Sequence, residues 1–304
     1  MALFGGIEGG GTKFICALAE DEHHILDEAR FPTGTPSETV QRVTDFFQQH
    51  LRAGKTIQRI GLANFGPIDP VLGSSTYGKV LPTPKPGWTN FDIVSAVETT
   101  LNVPVIFDTD VNGAALAEAK WGAGKGLEGV LYLTIGTGIG GGYYINGDVI
   151  HGMLHPEMGH ILIPHDFVRD PFPGSCPFHA DCFEGLANGP ALEKRWGQKA
   201  ETLPIDHPAW ELEAEYIALA LFNYILTLSP RKIILGGGVA KQIQMMPMIH
   251  ARVKQLLNGY VHSDLVNEEI ENYIVQPGLG DKAGIMGALA LAMVAERTKK
   301  VKPE

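Results

Sequence analysis

Cysteine is scarce in this chain: 304 residues contain three, Cys16, Cys176 and Cys182. That is too few for a disulfide-stapled domain. No apolar run approaches the roughly 20 residues that a membrane helix needs. The opening MALFGGIEGGG has neither the basic stretch nor the apolar run of a signal peptide. Together these absences predict a cytoplasmic protein with no membrane partner. Positive charge is also in deficit, 24 Lys and Arg against 34 Asp and Glu, a net charge of −10. This balance argues against nucleic acid or an anionic membrane surface as the main partner. It leaves room for a nucleotide, which backbone N–H groups and a metal ion can hold. Neither GxxxxGKS/T nor a GxGxxG between strand and helix occurs, so a Walker-type or Rossmann site is not expected. There is no internal repeat or low-complexity tract.

The composition, 44% hydrophobic and 19% charged, is enough for a sizeable core, in two lobes or one large α/β unit. Glycine is plentiful, 37 residues, and clustered as GGIEGGGT (5–12), IGTGIGGG (135–142) and LGGGVA (235–240). Each cluster follows or interrupts a short apolar run, the pattern of a strand ending in a tight turn. Strands are predicted over Leu3–Glu8, Lys13–Ala19, Ile25–Phe31, Ile57–Ala63 and Val103–Phe107. A helix capped by Ser37 carries Val40, Val43, Phe46 and Phe47 on one face. Further helices are expected over Phe91–Leu101 and Val111–Trp121. From Val130 the order restarts: strands Val130–Ile135 and Gly141–Ile145 about a glycine turn, helix Trp210–Leu228, strand Lys232–Leu235, and a last helix Ala283–Thr298 rich in small residues. Cys16 falls in the apolar run Phe14–Leu18 and reads as a buried strand residue. Two α/β lobes, each opening with a glycine hairpin, would place a ligand in the cleft between them.

A turn of glycines lets backbone N–H groups approach an anion, because no Cβ intervenes and positive φ is allowed. Thr12 and Thr137 add hydroxyls at equivalent places in two hairpins. One such turn is ordinarily only a turn; two of them with a third at 236–238 point to phosphate. A second pattern is His160–x15–Cys176–x2–His179–x2–Cys182. Two Cys and two His can close a tetrahedral zinc site, structural because no coordination position is left open. The alternative is a chance meeting of loop cysteines with some of eleven histidines, and His165 competes with His160 for its place. Asp110, between a strand and a helix, is by itself a helix N-cap. Glu157 and Glu184, flanking the proposed metal ligands, are by themselves solvated carboxylates. In TPKPGW (83–88), Lys85 and Trp88 read equally as pocket residues or as a turn lysine and a packing aromatic.

IEGGGTKF, LTIGTGIGGG and IILGGGVA resemble the two phosphate segments and the adenosine segment of actin-like sugar kinases. From Gly5 to about Ala295 the chain resembles the ROK family of bacterial sugar kinases and repressors, and IEGGGTKF, TPKPGW and HPEMGH are similar to its fructokinase branch. The resemblance implies a two-lobed α/β fold of actin-like (ribonuclease H-like) type with the active site in the interlobe cleft. The first lobe would span 1–113, joined by the C-terminal helix 288–304. The second would span 114–287, with a zinc-bound loop at 160–182. It places Gly10, Gly11, Thr12 and Lys13 near the phosphates, Thr137 and Gly138 under the transferring phosphoryl group, and Gly237 and Gly238 near the nucleotide, with GLGDKAGIMGA (278–288) closing the adenosine side. Asp110 matches the Asp of the family's NDxN motif and becomes the general base; Thr109 stands where the motif has its first Asn, and Asn112 is its second. Asn64, Gly66, Glu157, His160 and Glu184 are implied on the sugar side. The family's metal cluster, a His followed by CxCGxxGC, supports His160, Cys176, His179 and Cys182, with His179 in place of one cysteine. Glu8 stands where the family has Asp, a carboxylate that helps hold Mg²⁺. Glu is one methylene longer, so either the metal shifts or Glu8 orders the loop.

The reading that results is ATP-dependent phosphorylation of a hexose 6-hydroxyl with Mg²⁺, fructose being the expected sugar. Phosphoryl transfer asks mainly for positioning and charge neutralisation. Within the family the alternatives are a glucokinase, mannokinase or N-acylmannosamine kinase, and below them a non-catalytic sugar sensor. A repressor would need a helix-turn-helix segment ahead of the first hairpin, where only a few residues stand. The resemblance suggests a homodimer, and no nucleic acid partner is expected.

Overall fold

The computed structural model describes residues 2–294. The chain forms β1 (Leu3–Gly9), β2 (Lys13–Ala19), β3 (Ile25–Pro32), α1 (Pro36–Arg52), β4 (Ile57–Asn64), α2 (Ile93–Leu101), β5 (Val105–Thr109) and α3 (Asp110–Trp121). It continues through β6 (Val130–Ile135), β7 (Ile139–Ile145), β8 (Asp148–Val149), α4 (Phe183–Ala187), α5 (Gly189–Trp196) and α6 (Ala209–Leu228). It closes with β9 (Lys232–Gly236), α7 (Met245–Leu257), α8 (Asp264–Asn267), α9 (Ile270–Tyr273), β10 (Ile274–Val275) and α10 (Ala283–Val294). The described residues divide into two compact units: 2–122 with 148–156 and 281–294, and 123–147 with 157–280.

In the first unit the strand order is β3-β2-β1-β4-β5. β1 pairs antiparallel with β2 and parallel with β4, and β4 pairs parallel with β5. In the second unit β6 pairs antiparallel with β7 and parallel with β9, and β9 pairs parallel with β10. The repeated hairpin expected from the glycine clusters is thus real and extends to the next two parallel strands.

Small residues explain where α10 sits. It is apolar throughout and buried along its length, as a helix enclosed on all sides must be. A Cβ on Gly61 of β4 would fall 1.8 Å from the carbonyl oxygen of Ala288, and one on Gly287 would fall 2.5 Å from the carbonyl carbon of Gly113 in α3. Glycine at these positions lets β4, α3 and α10 meet backbone to backbone. This packing moves the expected division of the chain. α3 runs unbroken to Trp121 and lies on α10, so the first unit extends past 113 to Gly122, and the return begins at Asp281 and not at 288. The expected stretch 295–298 of the last helix lies outside the described residues.

Other differences are local. α1 is capped by Thr35, not Ser37: Thr35 and Glu38 form a capping box with Pro36 in the first turn. The strand expected at 103–107 is Val105–Thr109, because Asn102 ends α2 in the left-handed region and the chain needs two residues to turn into the sheet. β7 starts at Ile139, two residues earlier than read. The short α4 and α5 and the helix α7 carry no periodicity strong enough to have been predicted. Cys16 is buried in β2 as expected.

Candidate active site

The first glycine turn, 10–12, is held by its carbonyls. Gly10 O accepts from Thr33 Oγ1 at 2.7 Å, Thr12 O accepts from Thr33 N at 3.0 Å, and Gly11 O accepts from Lys85 Nζ. With the carbonyls tied back, the turn can present N–H groups and the exposed Thr12 and Lys13 to an anion. A Cβ on Gly10 would lie 2.9 Å from Lys13 O, whereas Gly11 has open space. Of the two residues in TPKPGW that read either way, Lys85 therefore belongs to the first glycine turn. Trp88 is a packing residue: it has no exposure, stacks on Phe14 and donates from Nε1 to Gly34 O.

Next to this turn lie the carboxyl ends of three neighbouring parallel strands, with Gly9 opposite Asn64 and Asn64 opposite Thr109. Such strand ends are where open α/β sheets bind ligands. Three buried acceptor oxygens of the first unit have no hydrogen-bond partner among the described residues: Glu8 Oε2 on β1, Asn64 Oδ1 at the end of β4 and Asn112 Oδ1 in the first turn of α3. Burial pushes Glu8 above the ordinary carboxylate value, against the pull of Lys13 and Arg30. Its carboxylate rests on the Cα of Gly284 in the first turn of α10. A buried carboxylate oxygen lacking a donor fits a hard cation or its bound water. Asn64 donates from Nδ2 to Phe65 O at 2.9 Å and leans on Gly9. Gly66 precedes Pro67 in a cis peptide bond.

Asp110 is not the cap of α3. Thr109 is: its Oγ1 accepts from Asn112 N at 3.0 Å and keeps its own proton to donate. Asp110 opens the helix, partly exposed, its Oδ1 accepting from Val111 N at 3.0 Å. Asn112 is fully buried and donates from Nδ2 to Asp108 at 2.8 Å.

In the second unit the turn 136–138 is built in the same way. Gly136 O accepts from Gly189 N at 2.7 Å, and Thr137 O accepts from Asn188 Nδ2 at 3.1 Å. Asn188 also caps α5, and this residue went unnoticed in the sequence although Asn-Gly-Pro is a helix-start signal. The third glycine turn packs on this one. Gly237 has φ +88 and its missing Cβ would fall 2.3 Å from Ile135 O, so no other residue fits there, while Gly238 is open. Thr137, Gly138, Gly237 and Gly238 are thereby brought together. The predicted segment 278–288 is divided: from Asp281 onward it belongs to the first unit.

Glu184, on α4, accepts from Ile139 N at 2.8 Å through Oε2, and its Oε1 lies 3.8 Å from His160 Nε2. It therefore joins the second glycine turn to the Cys/His cluster. Glu157 is exposed, just ahead of the 3₁₀ turn Met158–His160. The cluster itself is compact: ligand atoms of His160, Cys176, His179 and Cys182 all lie within 4.8 Å of one another. His160 Nδ1 is 3.7 Å from Cys176 Sγ and 3.6 Å from Cys182 Sγ, and His179 Nδ1 is 3.8 Å from Cys176 Sγ. Ligands at zinc–donor distances of about 2.0–2.3 Å on a tetrahedron stand roughly 3.3–3.8 Å apart. Mutual bonds between the Cys176 and Ala180 backbones hold the turn that carries His179. Burial pushes the Cys182 thiol up to about 11. His165 is excluded as a ligand, since its Nδ1 lies 3.1 Å from Asp181 Oδ2 and its Nε2 lies 3.0 Å from Asp170 O.

The match to the family described as ROK covers residues 4–295. The chain is 44% identical over 301 residues to a fructokinase of Zymomonas mobilis, covering 97% of each. It is 40% identical over 296 residues to a fructokinase of Pediococcus pentosaceus, covering 96% of this chain and 98% of that one. Among solved structures, the ROK hexokinase of Thermus thermophilus superposes with a TM-score of 0.79 at 26% identity, over 95% of this chain and 97% of that one. The chain belongs to the ROK family.

Proposed function

We propose that the protein transfers the γ-phosphoryl group of ATP to the 6-hydroxyl of a hexose, with fructose as its preferred sugar. The observation that carries this reading is the set of three buried acceptors without a partner among the described residues, Glu8 Oε2 of β1, Asn64 Oδ1 of β4 and Asn112 Oδ1 in the first turn of α3. Buried polar atoms are nearly always paired, so these call for donors from outside the chain. Sugar hydroxyls and metal-bound water are such donors. Asp110 opens α3, its helix capped by Thr109, and takes the role of general base toward the attacking hydroxyl. The turns at 10–12 and 136–138 take the phosphates, and Gly237 and Gly238 the nucleotide. Mg²⁺ supplies charge neutralisation on the phosphates, and Glu8 is the residue that would hold it or its water.

We assign zinc to His160, Cys176, His179 and Cys182, with a structural role, because all four positions of a tetrahedron are filled by protein. Glu157, His160 and Glu184 are assigned to sugar recognition. Fructose is favoured over glucose because the fructokinases share 40–44% of their residues with this chain over nearly its whole length. A cytoplasmic homodimer is the expected form. Exposed apolar side chains on the metal-bearing loop, Leu162, Phe167, Val168 and Phe178, support self-association. No helix among the described residues is long and apolar enough to cross a membrane.

The test is a coupled ADP-release assay across fructose, glucose, mannose and N-acetylmannosamine. Fructose is expected to give the highest kcat/KM. A preference of tenfold or more for another sugar, about 1.4 kcal/mol in transition-state binding, refutes the fructose assignment. In the same assay Asp110→Asn should lower kcat by ~10²–10⁴-fold.

A further inference from the structure

The segment 148–156 leaves the second unit and returns to the first for nine residues before the chain goes back. Two histidines of this excursion reach the turns that carry the proposed sugar-side residues. His151 Nε2 lies 2.9 Å from Asp108 Oδ2, with the Asp108 side chain wholly buried and that of His151 22% exposed. His155 is buried, and its Nε2 accepts from Ile68 N at 3.1 Å, two residues beyond Gly66.

Asp108 is the inner brace of the turn that presents Asp110. Its Oδ1 accepts from Thr109 N and from Asn112 Nδ2, both at 2.8 Å. Those two partners come from the same turn and shape it from within. His151 ties it to a distant part of the chain, and β8 packs on α3 just ahead of it. A buried carboxylate that loses a donor of this kind settles toward its remaining ones, because a small backbone shift costs less than a weakened buried interaction. The movable backbone nearest to it is the turn on which Asp110 sits. A displacement there of about 1 Å is enough to cost ~10²-fold in rate.

We propose that His151 is a positioning residue for phosphoryl transfer: through Asp108 it fixes the β5–α3 turn that aims Asp110, while His155 holds the Asn64–Ile68 turn from the same segment. This inference rests on the reading of Asp110 as the general base. It is tested by a double-mutant cycle of His151→Ala and Asp110→Asn, with His151→Gln as the conservative variant. kcat, KM for fructose, KM for ATP and Tm are measured on each.

His151→Ala is expected to lower kcat at least tenfold with KM for ATP within twofold of the parent. His151→Gln, whose amide can reach Asp108, should recover kcat to within threefold. In the Asp110→Asn background His151→Ala should cost less than a further threefold, because the two changes remove one function. The proposal is overturned by any of three results: a His151→Ala kcat within threefold of the parent, an undiminished loss in the Asp110→Asn background, or a Gln variant no better than Ala. If His151→Ala does not fold, His151→Asn replaces it, its amide too short to reach Asp108. Asp110→Asn with near-parental kcat would sink the base assignment itself. An inactive Asp110→Asn beside an active His151→Ala would sink only the role of His151.

Discussion

Replacing Gly284 with Ala would move the Glu8 carboxylate and leave nearly everything else in place. Gly284 lies in the first turn of α10, and no positive φ reserves the position for glycine. On helix propensity alone the change should stabilise the protein by up to about 1 kcal/mol. A Cβ there, however, would stand 2.5 Å from the Glu8 carboxyl carbon and 2.7 Å from both of its oxygens. Ordinary contact needs about 3.5–4.0 Å, so the carboxylate must withdraw by roughly 1 Å. Glu8 is a flexible side chain and can make that move cheaply, so Tm should stay within a few degrees of the parent. The position offered to Mg²⁺ changes by the same distance, and misplacements of that size cost ~10²-fold in rate. Steady-state kinetics over a Mg²⁺ series should therefore show a reduced kcat/KM and a higher Mg²⁺ requirement. The shorter side chain of Glu8→Asp clears the new methyl group, so Glu8→Asp in the Gly284→Ala background should recover part of the loss. A Gly284→Ala enzyme with parental kcat/KM and an unchanged Mg²⁺ series would refute the role given to Glu8. A double variant no better than the single one would refute the steric coupling.

Elemental analysis should find about one zinc per chain, and Cys182→Ser should lose it. The loosening that follows should stop short of residue 172, because Asp170 is anchored separately by Tyr216 Oη at 2.6 Å and Arg195 Nε at 3.1 Å. Hydrogen exchange that rises evenly across 161–182 would contradict this. Glu213 is wholly buried with neither oxygen hydrogen-bonded among the described residues, and burial pushes its carboxyl well above its ordinary value of 4.5, against the pull of Arg195. The folded protein keeps that proton while the unfolded chain releases it above the ordinary value. Stability therefore falls as pH rises from there, by about 1.4 kcal/mol for each pH unit, until the folded carboxyl itself ionises. Glu213→Gln cannot ionise, and its Tm advantage over the parent should grow between pH 5 and pH 8; an advantage that is flat with pH would count against the argument. Lys85→Met frees Gly11 O and should raise KM for ATP with little change in KM for fructose, whereas a change in the fructose KM alone would place Lys85 on the sugar.

Much of the molecule was legible in its residues because local rules fix it. The glycine clusters announced two hairpins, and strands such as Val130–Ile135 were bounded by turns on both sides. The spacing of His160, Cys176, His179 and Cys182 named a ligand set that four side chains then brought together, since chelation needs residue types more than it needs context. What the sequence could not decide was which of two chemically equal neighbours does a task. Thr35 and Ser37 can both cap, as can Thr109 and Asp110; the choice follows from where the preceding strand or loop delivers the chain. His160 and His165 both suit zinc, and His165 is removed only because the backbone oxygen of Asp170 and the carboxylate of Asp181 take its two nitrogens. Lys85 and Trp88 sit three residues apart in one loop, yet one reaches the first glycine turn and the other fills a core, a difference set by what packs on either side. The return of 148–156 to the first unit has no local signature at all, because it comes from contacts between segments far apart in the chain. Composition, turns and ligand types are properties of short stretches and were fixed by the sequence alone; partner choice among equals depends on long-range packing, and only the tertiary structure decided it.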